Sequence, residues 1–229
     1  MNKTLFLLLA FLLPIAVWGQ SLVPTAAPVM KIVAANGTTS EESSYEGSAP
    51  LHVRFEAHPE NQGARTPLYE WRFLKDGDSA PFLLRYDENT EYTFTQSGSF
   101  TVQLLASFVL GKDTVSYEMD TPFRIVITES KLELPNAFTP NGDGTNDVFR
   151  AKEGYRSLVE FKAMVFNRWG KKVAEWGNPA DGWDGRSGGS DAPDGAYYLV
   201  VKARGADGVR YDIKKTINLL RKSIGTGGS

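Results

Sequence analysis

Apolar residues recur at every second position along most of this 229-residue chain, and that spacing constrains the fold more than any other feature. Leu51, Val53 and Phe55 alternate with His52, Arg54 and Glu56; Tyr69, Trp71 and Phe73 alternate with Glu70 and Arg72; Phe100, Val102 and Leu104 alternate with Thr101 and Gln103. A period of two gathers apolar side chains on one face of a strand, whereas a helix needs a period near 3.6. Turn chemistry separates these runs at Asn36-Gly37, Glu46-Gly47-Ser48-Ala49-Pro50, Asp76-Gly77-Asp78 and Ser97-Gly98. The second half repeats the pattern with Phe161, Ala163 and Val165, then with Tyr197, Leu199 and Val201. Because Tyr198 and Val200 make the last series apolar on both faces, it is expected at the centre of a sheet. The chain is predicted to be all-β, with two antiparallel β-sandwiches in tandem.

Composition limits how those sandwiches hold together. There is no cysteine, so disulfides and thiol nucleophiles are excluded and each core must be stable through apolar burial alone. Lys3 followed by the apolar run 5–18 and the small Gly19 has the layout of a signal peptide, with Gln20 as the first mature residue. That run is shorter than the roughly 20 residues of a membrane-spanning helix, and no other segment reaches that length, so no transmembrane segment is expected after cleavage. Charge divides the remainder. Residues 22–130 hold 8 Lys and Arg against 15 Asp and Glu, and residues 131–229 hold 16 against 12. Neither half has the clustered basic stripe of a nucleic-acid partner. The expected organisation is a signal peptide at 1–19, a first sandwich at 28–130, a second at 131–221 and a flexible tail at 222–229. A flexible joint is expected at 129–134, before Pro135.

Between those halves lies Leu134-Pro135-Asn136-Ala137-Phe138-Thr139-Pro140-Asn141-Gly142-Asp143-Gly144-Thr145-Asn146-Asp147-Val148-Phe149. It is followed by Asn167-Arg168-Trp169-Gly170, Gly182-Trp183-Asp184-Gly185, Pro193-Asp194-Gly195-Ala196-Tyr197-Tyr198 and a last apolar strand through Ile217 and Leu219. In that order the motifs resemble the gliding-motility-associated C-terminal domain, the type B sorting domain of the type IX secretion system. The resemblance implies that residues 131–221 are read by the type IX translocon, with Asn136, Pro140, Gly142, Gly144, Trp169, Gly170, Trp183, Asp184, Gly185, Gly195 and Tyr197 as its signature. It implies export to the cell surface or medium, with the periplasm or outer membrane as the alternative. The layout also resembles the immunoglobulin-like module of the flagellar hook-capping protein. In the first half, Gly47-Ser48-Ala49-Pro50-Leu51, Tyr69-Glu70-Trp71-Arg72-Phe73 and Tyr92-Thr93-Phe94 with Ser97-Gly98-Ser99-Phe100 resemble the polycystic-kidney-disease (PKD) module. Its usual compact turn after the Trp is longer here, through Leu74-Lys75-Asp76-Gly77. Both resemblances imply immunoglobulin-like sandwiches.

Catalysis finds little support in the residue types. The two histidines, His52 and His58, lie near one strand, no serine sits in a Gly-x-Ser-x-Gly elbow, and no zinc-ligand spacing is present. The chain is read as a non-catalytic binding or adhesion protein of the surface, with a structural component of the envelope or secretion apparatus as the alternative. Its ligand would be a glycan or a protein. Trp71, Tyr69 and Phe73 read as core, leaving Tyr86 and Tyr92 as the better glycan contacts. Asn141, Asp143, Thr145 and Asp147 place oxygens at alternate positions around Gly144, the spacing of a short calcium loop. Asx turns account for the same residues without a metal. Asp78-Ser79-Ala80 and Asp113-Thr114-Val115 match a three-residue O-glycosylation pattern. Residues 178–194, rich in Gly, Asp and Ser, are expected to form a long loop anchored by a buried Trp183.

Overall fold

The computed structural model describes residues 22–221; the expected signal peptide with its cleavage site and the tail 222–229 lie outside them. Among the described residues the chain is all-β, with no helix. The first half contributes β1 (Thr25–Ala26), β2 (Val29–Val33), β3 (Thr39–Glu42), β4 (Ser44–Gly47), β5 (Leu51–Glu56) and β6 (Pro59–Glu60). It continues with β7 (Thr66–Lys75), β8 (Leu83–Arg85), β9 (Asn89–Phe94), β10 (Gly98–Leu110), β11 (Asp113–Glu118) and β12 (Phe123–Ile127). One sheet has the order β3-β2-β5-β9 and the other β4-β12-β10-β7-β8, while β1 pairs with β6. The long β10 pairs with β7 along one side; on its other side it takes β12 near its start and β11 near its end.

The alternation seen in the sequence decides what lies between these sheets. Leu51, Val53 and Phe55 of β5 face Trp71 and Phe73 of β7, all of them buried. The Phe55 ring meets Phe73 edge-on at 5.5 Å and Trp71 at 5.8 Å, offset geometries that aromatic rings favour over a face-to-face sandwich. Trp71 leaves no unsatisfied donor in this core, because its Nε1–H reaches the Asp87 carbonyl at 3.2 Å.

In the second half the strands are β13 (Ala137–Phe138), β14 (Phe149–Arg150), β15 (Leu158–Phe166), β16 (Lys172–Trp176) and β17 (Gly182–Trp183). After them come β18 (Arg186–Ser187), β19 (Ser190–Asp191), β20 (Gly195–Gly205) and β21 (Arg210–Leu219). The main sheet has the order β13-β21-β20-β15-β16, which puts the doubly apolar β20 at its centre. Tyr197, Leu199, Val201, Ala163, Val165 and Ile217 share its buried face. The second layer is small: the β14–β17 ribbon, which pairs Phe149 with Trp183 and packs these rings on Trp176 and Phe138 of the main sheet's edge strands. The expected long loop at 178–194 thus contains strand pairing, with β17 joined to β14 and β18 to β19. Its side chains are mostly too short and polar to show a period of two, so these two-residue strands left no pattern in the sequence.

The joint at 129–134 differs from the flexible linker expected. Ser130 N–H donates to the Asp207 carboxylate at 2.8 Å, Ser130 Oγ–H reaches the same group at 2.9 Å, and Lys131 and Arg156 exchange backbone hydrogen bonds at 3.1 Å. Contacts then pass directly between the halves. Ser97 N–H donates to the Ala206 carbonyl at 3.0 Å and Ala49 N–H donates to Ser157 Oγ at 3.2 Å, while within the second half Ala206 N–H donates to the Ser157 carbonyl at 2.8 Å. Ser157 is 1% exposed, and Ala206, at the start of the β20–β21 turn, packs into the core of the first half. Charge change and Pro135 marked a boundary, but the groups that clasp it come from residues about 80 positions downstream in the chain.

Residues 129–134 should therefore resist limited proteolysis until the whole chain unfolds. Asp207→Ala should expose the joint to protease and cost about 1 to 2 kcal/mol, as expected for hydrogen bonds to a partly solvated charge. Burial pushes the Asp207 carboxyl up, but the hydrogen bonds from Ser130 and Val209 outweigh it and hold the pKa below the usual aspartate value. A depressed folded pKa gives stability that is full above the unfolded value, near about 4, and lost as pH falls through the folded one. Joint cleavage should accelerate only below about pH 4. Cutting at neutral pH ahead of global unfolding would show that the clasp does not hold in solution.

Candidate functional site

The signature residues of the second half lie far apart in sequence, and the fold brings most of them to one end of the main sheet. Strand β21 runs antiparallel to β20, with Gly195 opposite Leu219 and Tyr197 opposite Ile217, and parallel to β13, with Phe138 opposite Leu219. The last described strand therefore ends between the Pro193-Asp194-Gly195 turn and the start of the 136–149 segment. Asn136 is held there from both sides: its carbonyl accepts from Asn218 N–H at 2.9 Å, and its side-chain oxygen accepts from Lys215 Nζ. Burial lowers the Lys215 pKa, with a smaller contribution from the charge of Lys152.

Arg221, directly after this strand, acts as a latch. Its guanidinium donates to the Gly185 carbonyl at 2.7 Å and to the Ala192 carbonyl, with the Asp191 carboxylate 3.6 Å away, and its backbone N–H donates to Asp194 at 3.1 Å. Gly185 tolerates this closeness because it has no side chain. An added Cβ would lie 2.9 Å from both the Arg221 guanidinium and Pro140 Cγ, on a backbone with a φ of +80° that disfavours any Cβ. Pro140, Gly185, Leu219 and Arg221 thus meet at one point. Arg221 did not stand out in the sequence, where it is one of several basic residues around the last strand.

Trp183 sits beneath this point and is 2% exposed. Its indole packs on Phe138 at 5.3 Å and edge-on to Tyr197 at 4.8 Å, and its Nε1–H donates to the Arg186 carbonyl at 2.7 Å. Asp184 faces outward and caps the following turn by accepting from Arg186 N–H at 2.9 Å. Burial raises the Tyr197 pKa, against the nearby charges of Arg221 and Arg168; its hydroxyl donates to the Pro193 carbonyl at 2.8 Å.

Trp169 is placed in the opposite way. The hairpin between β15 and β16 closes on Asn167, whose side-chain oxygen accepts from Trp169 N–H and Lys171 N–H, both at 3.0 Å, while Gly170 takes a φ of +77°. The turn therefore forms without help from the indole, which is 80% exposed and covered only by Arg168, 5.3 Å from the ring centroid. Between this hairpin and the loop before β20 lies a cleft of roughly 190 Å³ lined by Trp169, Val173, Asp194 and Tyr197.

The four residues with calcium spacing come together, but through hydrogen bonds within the loop. Asp147 accepts from Gly142 N–H at 2.7 Å and from Gly144 N–H at 2.8 Å; Asp143 accepts from Thr145 N–H at 2.7 Å; Asn141 accepts from Asp143 N–H at 3.1 Å. The Asn141 amide also donates to Asp143 at 2.8 Å, and with the Thr145 N–H this holds the Asp143 carboxyl below its ordinary pKa. These are the Asx turns of the metal-free reading. Among the described residues no group of three or more His, Cys, Asp or Glu side chains converges on a metal position.

In the first half, Trp71 and Phe73 are fully buried and Tyr69 nearly so, as core residues. The proposed glycan contacts separate: Tyr86 is 62% exposed, whereas Tyr92 is half-buried against Phe73, Phe82 and Phe94. Because Val53 stands opposite it on β5, Tyr92 lies on the inner face of its sheet, an assignment that needs the strand register. His52 lies 3.4 Å from Glu91 and His58 2.9 Å from Glu56, both in surface pairs. Ser79 and Thr114 are exposed.

Residues 132–218 match the family model described as the CHU_C Type IX secretion signal domain, a match that implies export by type IX secretion. No curated protein matches the chain. Among solved structures, dimeric latent PorU from Porphyromonas gingivalis is similar over 89% of this chain, at 14% identity and a TM-score of 0.27. The chain spans 21% of that protein's length. No helix among the described residues is long and apolar enough to cross a membrane.

Trp183→Ala should lower the stability of the second half by about 3 to 5 kcal/mol, the range for deleting a large buried aromatic, read as a shifted denaturant midpoint. An unshifted midpoint would mean that the indole is not buried in solution. Millimolar calcium should leave the melting temperature of chelator-treated protein where it was, because the carboxylates of loop 141–147 already hold backbone amides. A rise of several degrees would restore the calcium reading.

Proposed function

We propose that this chain is a secreted or cell-surface protein in which residues 131–221 direct export through the type IX translocon and residues 28–130 form a non-catalytic PKD-like binding or adhesion module. The observation that carries the first part is the position of β21. It is the last described strand, it lies between β13 and β20, and Arg221 behind it holds the loops of two other signature motifs. The signal is then a property of the folded domain, complete only when the C-terminal strand is in place. For the second part, the aromatic strands of the first half form its core, and both histidines are engaged by surface glutamates, which favours a scaffold that presents a surface over one that performs chemistry. The ligand would be a protein or a glycan. A structural role in the envelope or secretion apparatus is the alternative, favoured by the clasp that fixes the two halves into one body.

Residues 132–229, placed behind a signal peptide and a fluorescent protein, should carry that protein across the outer membrane of a type IX-competent host. A version ending at Tyr211 lacks most of β21 and should remain in the periplasm. Equal surface delivery of both fusions, or of neither while the full domain is folded, would favour the structural role.

A further inference from the structure

We infer that the cleft beside Trp169 is the surface through which the export machinery grips this domain, and that it takes an acidic protein segment presenting an apolar side chain. The inference rests on the export reading above and assigns it a site. Trp169 is the most exposed of the large apolar residues among those described, and it does nothing for its own hairpin, which Asn167 and Gly170 close. An aromatic ring left in water at a fixed position is the kind of group that dominates protein interfaces, where Trp and Arg supply most of the truncation-sensitive contacts. The lining of the cleft includes the apolar Val173 and the buried Tyr197 ring among polar neighbours.

Charge on the two walls selects the occupant. On the loop side, Asp191 and Asp194 are engaged by Arg186 and Arg221. On the hairpin side, Arg168 and Lys171 are exposed, and among the described residues neither lies in an ion pair. The uncompensated charge at the mouth is therefore positive, and a complementary segment carries carboxylates. The latch adds a condition. Because Arg221 holds the loop wall, the cleft has its shape only when the last strand is docked, so its occupant would distinguish a finished domain from an unfinished one.

The test follows the full-length chain in a type IX-competent host, with Trp169→Ala, the pair Arg168→Glu with Lys171→Glu, and a control pair, Lys202→Glu with Lys214→Glu, on the opposite face of the sheet. Each protein is also purified and melted. The first two variants should keep the parent melting temperature, lose surface delivery by roughly tenfold or more, the scale of a hot-spot truncation, and accumulate in the periplasm; the control should be delivered like the parent. Normal delivery of the first two variants, equal loss in the control, or a markedly lowered melting temperature of either cleft variant would each overturn the assignment. If the purified parent binds phosphatidylglycerol vesicles and the Arg168 and Lys171 reversals abolish that binding, the cleft serves an anionic membrane, which also overturns it. Retention of the unaltered parent in the periplasm is a different result, because it removes the export reading itself.

Discussion

The antiparallel ladder between β20 and β21 is the interaction on which the second half depends. Along it Tyr197, Leu199 and Val201 are aligned beside Ile217 and Ile213, so the apolar face of the sheet exists only as a pair of neighbouring strands. An unpaired β20 would leave backbone N–H and C=O groups in the middle of a core without partners, a cost comparable to a lost hydrogen bond for each. The ladder also sets where the segment after β21 leaves the sheet. Arg221 emerges beside Gly185 and Asp194 because Leu219 is opposite Gly195, and a slip of one residue would turn Ile217 and Leu219 toward solvent.

The absence of disulfides gives the burial of aromatic residues added weight. In the first half, Phe55, Trp71, Phe73, Phe94 and Phe123 join the two sheets. The second half has one main sheet and a thin cover, and there Phe149 and Trp183 supply the opposing layer that a second sheet would otherwise provide, closing on Trp176 and Phe138 at the main sheet's edges. Large rings suit this purpose, because two-residue strands such as β14 and β17 bring few side chains and each must cover much area. Trp183 and Trp169 show how the same residue type serves opposite ends: one completes a core, while the other is held outside it by a turn that closes on Asn167.

The clasp at Ser130, Ser157, Ala206 and Asp207 makes the two halves mechanically dependent. Ser157, with a φ of +49°, turns its Oγ toward Ala49 N–H and Thr128 Oγ1, and Ala206 extends the first core by one small side chain. Backbone amides at both ends of the interface are satisfied by the other half, so separation would leave them to water and would uncover Ala206 and Ser157. A sorting domain seated in this way is presented at a fixed orientation to whatever precedes it.

Local pattern was enough to establish strand type, the inward faces of β5, β7, β10 and β20 and the burial of Trp71, because each follows from a period of two within a few positions. The motifs around Trp169, Trp183, Gly195 and the last strand were likewise legible as an ordered set. Tertiary structure alone decided that Tyr92 faces inward, that residues 178–194 carry two ribbons, that Asp207 closes the joint and that Arg221 latches the signature loops. The reason is common to all four. Each depends on a partner brought close by strand register across tens of residues, and such pairing leaves no mark on the local spacing of side chains.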